Sequence, residues 1–340
     1  MLRLPKFTLL EPTTVREAVD LLAEHGERAM VIAGGTDLVP NMKHRLFEPE
    51  VLVSLAHVQE LMGVQRLGDG SLAIGAMTPL ATVAADLDVL EFAPALAQAA
   101  SLVAGPQLRA MGTLGGNILL DTRCQWYNQT HFWRQALGFC LKKDGTVCHV
   151  VEGGKKCVAA ASNDTAPALM SLGATLVFAG PSGPREVRID DLWRADGIRN
   201  KELVAGEVLV RILVPRQAAG HRGAYGKLRD RGSIDFPLFG CAVRLDLATD
   251  ESVLDAAVAA VALVARPIFV KRADELLRGA RLGTAEFDAA VEAVAQEAYR
   301  QCKPMPNVPG DADYRREMVP VYVRRTLHAA ARGEGPVHHV

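Results

Sequence analysis

No stretch of this chain is long and apolar enough to cross a membrane as a helix. The longest purely apolar run, Ala256 to Ala265, has ten residues, against about 20 for a spanning helix. Residues 1–7 offer neither the apolar centre of a secretory signal nor a small-residue cleavage site. The expected location is therefore cytoplasmic, or periplasmic if a partner subunit carries an export signal. Net charge is nearly absent: 38 Lys and Arg face 39 Asp and Glu, a formal −1. Such a chain has no global electrostatic reason to bind nucleic acid or an anionic membrane. Nucleotide-binding signatures of the GxGxxG and GxxxxGKS/T kinds are missing. So are HExxH, a Ser-His-Asp order and convincing paired carboxylates, and no residue here is expected to do acid–base work on an organic substrate. There is no internal repeat. Cysteines are few, six in 340 residues, yet Cys124, Cys140, Cys148 and Cys157 fall close together.

What remains is ordinary globular material, 49% apolar and 23% charged, long enough for roughly two domains. The opening reads as an α/β unit. Thr14 with Glu17 suggests a capping box, followed by apolar residues at helical spacing up to Gly26. Strands are expected at Ala29–Ala33, Val51–Leu55 and Ser71–Gly75, helices at 80–92 and 94–104. A helix should follow Ser162-Asn163-Asp164. Residues 173–215 suggest a strand pair and a loop. From His221 a new unit begins, with strands at Ala224–Leu228 and Leu238–Leu245. A long apolar helical tract at 254–265 comes next, then helices at 272–278 and 284–301. Strands followed by helices predict an α+β unit. The last eight residues are expected to fray or to dock on a partner.

Two glycine-rich turns stand out. Gly34-Gly35-Thr36-Asp37 follows a strand, and Gly115-Gly116-Asn117 follows a helix and a bend. Glycines let backbone N–H groups approach an anion closely, and Thr36, Thr113 and Asn117 add side-chain donors. Two such turns suit a pyrophosphate gripped from two sides. Each alone is equally what a plain tight turn looks like.

The ordered set Ala33–Leu38, Ile74–Ala76, Thr113–Ile118, Ser162–Asp164, Ala205–Leu209 and Ala224–Lys227 resembles the FAD-binding subunit of the molybdenum hydroxylases. These are the xanthine dehydrogenase and carbon monoxide dehydrogenase family. The resemblance covers nearly the whole chain. It implies an α+β fold: a two-part FAD-binding domain of the PCMH/vanillyl-alcohol-oxidase type over 1–217, divided at about 57/58. A C-terminal domain of the carbon monoxide dehydrogenase flavoprotein type follows over 221–332. It further implies that Val31, Ile32, Ala33, Gly34, Gly35, Thr36, Asp37 and Leu38, with Gly115 and Gly116, wrap the FAD pyrophosphate. Thr113, Asn117 and Asp164 would hydrogen-bond the cofactor, and Val103 and Leu209 would pack on it. Lys227 would place a cation near the isoalloxazine ring, where it would stabilise reduced, anionic flavin. Without the resemblance, Lys227 reads as a surface lysine on an edge strand. Arg231 and Asp235 could pair to brace that strand.

Residues 122–160 change character. They hold five of the eighteen aromatics, Trp126, Tyr127, Phe132, Trp133 and Phe139, together with all four clustered cysteines. Their spacing fits neither a zinc ribbon nor a compact ferredoxin run. Zinc, an iron–sulfur cluster and free thiols all stay open on spacing alone. The segment is similar to the insertion in the β subunit of 4-hydroxybenzoyl-CoA reductases, and to one in some bacterial aldehyde oxidoreductases. That likeness implies a 4Fe-4S cluster on Cys124, Cys140, Cys148 and Cys157, near the surface and beyond FAD. It would admit electrons from ferredoxin or serve as a structural brace. His131 and His149 are expected at the surface or behind the ligands, and Cys241 and Cys302 as structural thiols.

The resemblance implies an electron-transfer flavoprotein subunit. It would partner a molybdenum-cofactor large subunit and a small subunit with two 2Fe-2S clusters, in a dimer of heterotrimers, and pass electrons to or from an external carrier. The alternatives are a flavin subunit of an aldehyde or N-heterocycle oxidoreductase, and a scaffold subunit with structural zinc.

Overall fold

The computed structural model describes residues 2–338. Its first layer is small and parallel. Strand β1 (Thr8–Leu10) and β2 (Ala29–Ile32) flank β3 (Val51–Ser54), in the order β1-β3-β2. The helix Val15–His25 crosses from β1 to β2, as two strands that both run parallel to β3 require. It begins where the Thr14 hydroxyl accepts from the Glu17 N–H at 3.1 Å. Ala18, Val19 and Leu22 bury its inner stripe against Val51 and Val53.

The second layer is an antiparallel five-stranded sheet. It contains β4 (Val64–Arg66), β5 (Leu72–Gly75), β6 (Thr175–Gly180), β7 (Gly183–Arg188) and β8 (Val208–Val214), ordered β4-β5-β8-β6-β7. Residues 173–215 thus hold three strands rather than a pair. Between β5 and β6 lie short helices. The expected helix at 80–92 is two, Leu80–Ala85 and Leu87–Phe92, because Asp86 leaves the helical conformation and caps the second through Val89 N–H.

The third layer holds β9 (His221–Leu228), β10 (Phe239–Leu247), β11 (Val253–Val261), β12 (Ile268–Phe269) and β13 (Val337–His338), ordered β12-β11-β10-β9-β13. Here the helix expected at 254–265 is instead β11, paired along its whole length with β10. The physical reason is burial of both faces. Helices Pro94–Ser101 and Thr165–Ser171 cover one side of the sheet; Ala285–Gln301 and Ala312–Arg332 cover the other. A strand buried on both faces loses its alternation and reads like a buried helix. The helix Ala312–Arg332 escapes the sequence reading, since Pro320 sits in its interior. Nor do the last residues fray throughout: Val337 and His338 pair in parallel with Gly226 and Lys227 of β9. Residues 339–340 lie outside the described residues.

Candidate functional site

Strand β2 runs into Gly34-Gly35, and helix Leu38–Lys43 starts directly afterwards. Gly35 has φ +70°, a left-handed value that glycine tolerates without strain. Gly34 packs so closely on the Met111 carbonyl that a Cβ would overlap that oxygen. The second turn opens the short helix Leu114–Ile118, where the Thr113 hydroxyl accepts from Gly116 N–H at 3.1 Å. A Cβ on Gly115 would stand 2.8 Å from the Ala76 Cβ. The second turn is tied to residues 78–80, where Leu80 N–H donates to Gly112 O at 2.8 Å and Leu114 N–H to Thr78 O at 3.0 Å, and the first turn meets it where Gly34 packs on Met111 and Gly112. They form a cradle that side chains would fill.

Between them lies a cavity of about 510 Å3, within the range for a cofactor pocket. Of the sixteen expected flavin contacts, fourteen line it; Ile32 and Lys227 do not. Asn117 lines it, but its Oδ1 accepts from Thr165 N–H at 3.0 Å and from the Thr165 hydroxyl at 2.6 Å. Its Nδ2 donor is what remains for a ligand. The lining that the sequence did not mark as flavin contacts includes Asp121, Arg123, Ile234, Asp235 and Phe236. Arg123 pairs with Asp37 and sits 4.5 Å from the Phe236 ring centre. Burial draws its guanidinium down to about 10. The one sequence signal for Arg123 was its place immediately before Cys124.

Lys227 is neither at the surface nor on an edge. It lies inside β9, fully buried, with its Nζ 3.0 Å from Asp164 and donating to Leu102 O at 2.9 Å and Asp235 O at 3.0 Å. The Tyr225 hydroxyl donates to the other Asp164 oxygen at 2.8 Å. The expected cation beside the ring therefore stands one layer back, behind a carboxylate that does line the cavity. Burial raises Asp164 above the ordinary carboxylate range, and the Lys227 ammonium opposes that rise. Arg231 and Asp235 do pair, at 3.5 Å, and Asp235 also accepts from Asp230 and Arg231 N–H.

The 122–160 segment folds against the outer side of the same wall. Phe47 lines the cavity and also packs on the pocket of Cys124, Cys140 and Cys157, with Leu46, Tyr127 and Ala159. Cys148 is half-buried, and all six cysteines are free thiols. Burial pushes Cys124 up to about 11. It raises Cys157 too, while Lys142 pulls that thiol down. Ala159 N–H donates to Cys157 Sγ at 3.4 Å. Among the described residues no three His, Cys, Asp or Glu side chains converge closely enough to hold a single metal ion. Zinc would need sulfurs about 2.3 Å from one centre. Cys157, Cys140 and Cys148 nevertheless lie near enough to Cys124 to add to the rise of its thiol, so the four cysteines are gathered in one region. His149 Nε2 lies 2.6 Å from Phe139 O, and its ring stacks near Trp126. Cys241 and Cys302 are buried elsewhere, Cys241 beside the Thr326 hydroxyl at 3.2 Å.

Comparison with known proteins bears on this geometry. The model of the FAD binding domain in molybdopterin dehydrogenase matches residues 5–217, and that of the CO dehydrogenase flavoprotein C-terminal domain matches 223–330. The carbon monoxide dehydrogenase medium chain of Hydrogenophaga pseudoflava is 33% identical, over 96% of this chain and 97% of its own. The xanthine dehydrogenase FAD-binding subunit of Escherichia coli O157:H7 is 27% identical, over 95% of both. A solved Hydrogenophaga pseudoflava carbon monoxide dehydrogenase superposes with a TM-score of 0.79 at 31% identity, covering 98% of this chain and 100% of that one.

Proposed function

The chain belongs to the FAD-binding subunits of the molybdenum hydroxylase family, and from that premise we propose that it is the electron-distributing subunit of such a complex. It would hold FAD in the cavity between its two glycine turns and a 4Fe-4S cluster on Cys124, Cys140, Cys148 and Cys157. Its partners would be a molybdenum-cofactor large subunit and a small subunit with two 2Fe-2S clusters, assembled as a dimer of heterotrimers. An external carrier, with ferredoxin as the candidate, would exchange electrons with it. The four-cysteine segment gives the complex the character of a 4-hydroxybenzoyl-CoA reductase.

The observation that carries the flavin half is the cradle. Gly34 and Gly115 are packed so tightly that only backbone can stand there, and backbone N–H groups are what a pyrophosphate needs. FAD, when bound, supplies exchange between one-electron and two-electron traffic. The chain's own residues bind and orient. Val103 and Leu209 give the cavity apolar walls, Asn117 keeps a free amide donor, and Asp164 is held in one orientation by Tyr225 and Lys227. Phe236 and Ile234 cover the C-terminal side. The cluster half is supported by four free thiols, three of them in one apolar pocket that shares Phe47 with the cavity.

The test is the visible spectrum of anaerobically purified complex before and after dithionite, with iron and acid-labile sulfide counted per flavin. Cys124→Ser and Cys148→Ser should each remove about four irons and the broad cluster absorbance while the flavin bands stay. Wild-type complex whose iron is all accounted for by 2Fe-2S centres would end the cluster reading; zinc in its place would support a structural role for the segment.

A further inference from the structure

One buried ion pair lies in the wall between the two proposed redox centres, and neither centre needs it as a ligand. Lys142 is 5% exposed, and its Nζ donates to Asp121 Oδ1 at 2.8 Å, Thr122 Oγ1 at 2.6 Å and Gly197 O at 2.6 Å. Those three acceptors use all three ammonium protons. The ring of Tyr127 lies 4.7 Å away. Asp121 lines the flavin cavity. Gly197, on the lysine's other side, is packed so that a Cβ there would stand 2.8 Å from Cys157 Sγ, and its N–H donates to Cys157 O at 2.8 Å. The pair is therefore directional. Its carboxylate faces the flavin cavity and its ammonium faces the cysteine pocket, two residues after Cys140.

An exposed pair of this kind would be nearly silent because water screens it. Here the ammonium is out of water and Asp121 is 25% exposed, so screening is partial and Coulomb terms are stronger than at the surface. A fixed positive charge beside a cluster stabilises the form with the extra electron and so raises its potential; a negative charge beside a flavin does the opposite. Burying Lys142 also costs desolvation. A hydrogen-bonded neutral side chain would tie Thr122 and Gly197 together without that cost.

We propose that the Asp121–Lys142 pair sets the potential difference between flavin and cluster, its ammonium end holding the cluster the more easily reduced. Lys142 is on this account a positioning and tuning residue. The inference rests on the reading of the four cysteines as cluster ligands.

It is tested by redox titration of the intact complex, following the reduced 4Fe-4S signal by electron paramagnetic resonance and the flavin by absorbance. Lys142→Met should move the cluster midpoint to a more negative potential, and Lys142→Arg should restore it. Asp121→Asn, which leaves the ammonium without its counter-charge, should move the midpoint the opposite way. Should Lys142→Met fail to assemble its cluster, the sign of the Asp121→Asn shift decides. An unchanged midpoint in cluster-loaded Lys142→Met, or a negative shift in Asp121→Asn, overturns the proposal. Wild-type complex with no 4Fe-4S signal and no matching iron would instead remove the underlying reading, and the inference with it.

Discussion

Replacing Lys227 by Met takes one ammonium out of a fully buried site and leaves its partners in place. Asp164 keeps only the Tyr225 hydroxyl, and the carbonyls of Leu102 and Asp235 lose their donor. Breaking a buried pair from one side costs about 3–5 kcal/mol, a large part of the total for a domain of this size. The chain has one escape, which is to protonate Asp164. Burial already lifts that carboxyl above its ordinary range and Lys227 is what opposes the lift, so the variant's folded-state pKa must rise further. With the folded value above the unfolded one, the folded variant binds more protons than the unfolded chain in the window between them. Its stability then falls as pH rises through that window, by at most about 1.4 kcal/mol per pH unit. The deficit against wild type should be largest in mild alkali, shrink on acidification, and level off once the pH falls below the wild-type Asp164's own raised value. Urea unfolding of flavin-free protein, variant and wild type side by side, measures it. The Asp164→Asn/Lys227→Met double variant should recover most of the loss and show a flat difference. A deficit below about 1 kcal/mol, or one that does not change with pH, would refute the claim that Lys227 works by neutralising Asp164.

Three further outcomes follow from the same geometry. Gly34→Ala should strip FAD from the purified subunit and cost about 3 kcal/mol or more, since backbone, not a yielding side chain, stands where the methyl must go; retained flavin bands at wild-type yield would contradict this. Asp37→Asn leaves Arg123 in its buried site with no carboxylate, so unfolding free energy should drop by about 2 kcal/mol and flavin should dissociate more readily; calorimetry and flavin release on dilution read both. Lys201 has its Nζ on Leu120 O and Asn200 Oδ1, and burial lowers it to about 8. Between about 8 and its unfolded value near 10.4, the unfolded chain binds more protons, so wild-type stability gains with rising pH relative to Lys201→Met. Below about pH 8 the difference between the two should level off, and a difference that stays flat through mild alkali as well would show that burial does not lower this lysine.

Much of the first domain was legible because its signals are local. Thr14, Gly26 and the alternation of short apolar runs with glycine turns mark α/β units wherever they occur, and the two glycine turns stand out by residue type, although each alone reads as a plain tight turn. The third layer was not legible in the same way. Val253–Val261 is read as helix because burial on both faces erases the period-two pattern. Without the resemblance, Lys227 is read as exposed because a lysine in a strand usually is. What buries it is Asp164, 63 residues earlier in the chain, and no local rule reports a partner at that distance. Pro320 hides the helix Ala312–Arg332 for the opposite reason, as a local signal that tertiary packing overrides.

The cysteine segment shows where spacing stops being informative and geometry takes over. Spacing left zinc, cluster and free thiols equal. Arg123 and Cys124 are chain neighbours, and folding points them apart: Arg123 lines the flavin cavity while Cys124 lies in the cysteine pocket. One peptide unit thus separates a cavity-lining side chain from one in the cysteine pocket, and Phe47 touches both regions. A segment whose sole task were to brace the surface would have no need to root its first cysteine in the cofactor wall. Rooting it there fixes the separation of the two sites through the Arg123–Ala160 backbone pair, in which each N–H donates to the other's carbonyl at 2.7 Å. On the proposed reading, that pairing would hold the cysteine pocket in a fixed place against the cofactor wall. If so, replacing the segment by a short glycine-rich connection should preserve flavin binding and abolish only the traffic that enters or leaves through the cysteines. A replacement that also lost flavin would mean that the segment's first duty is to close the cavity wall.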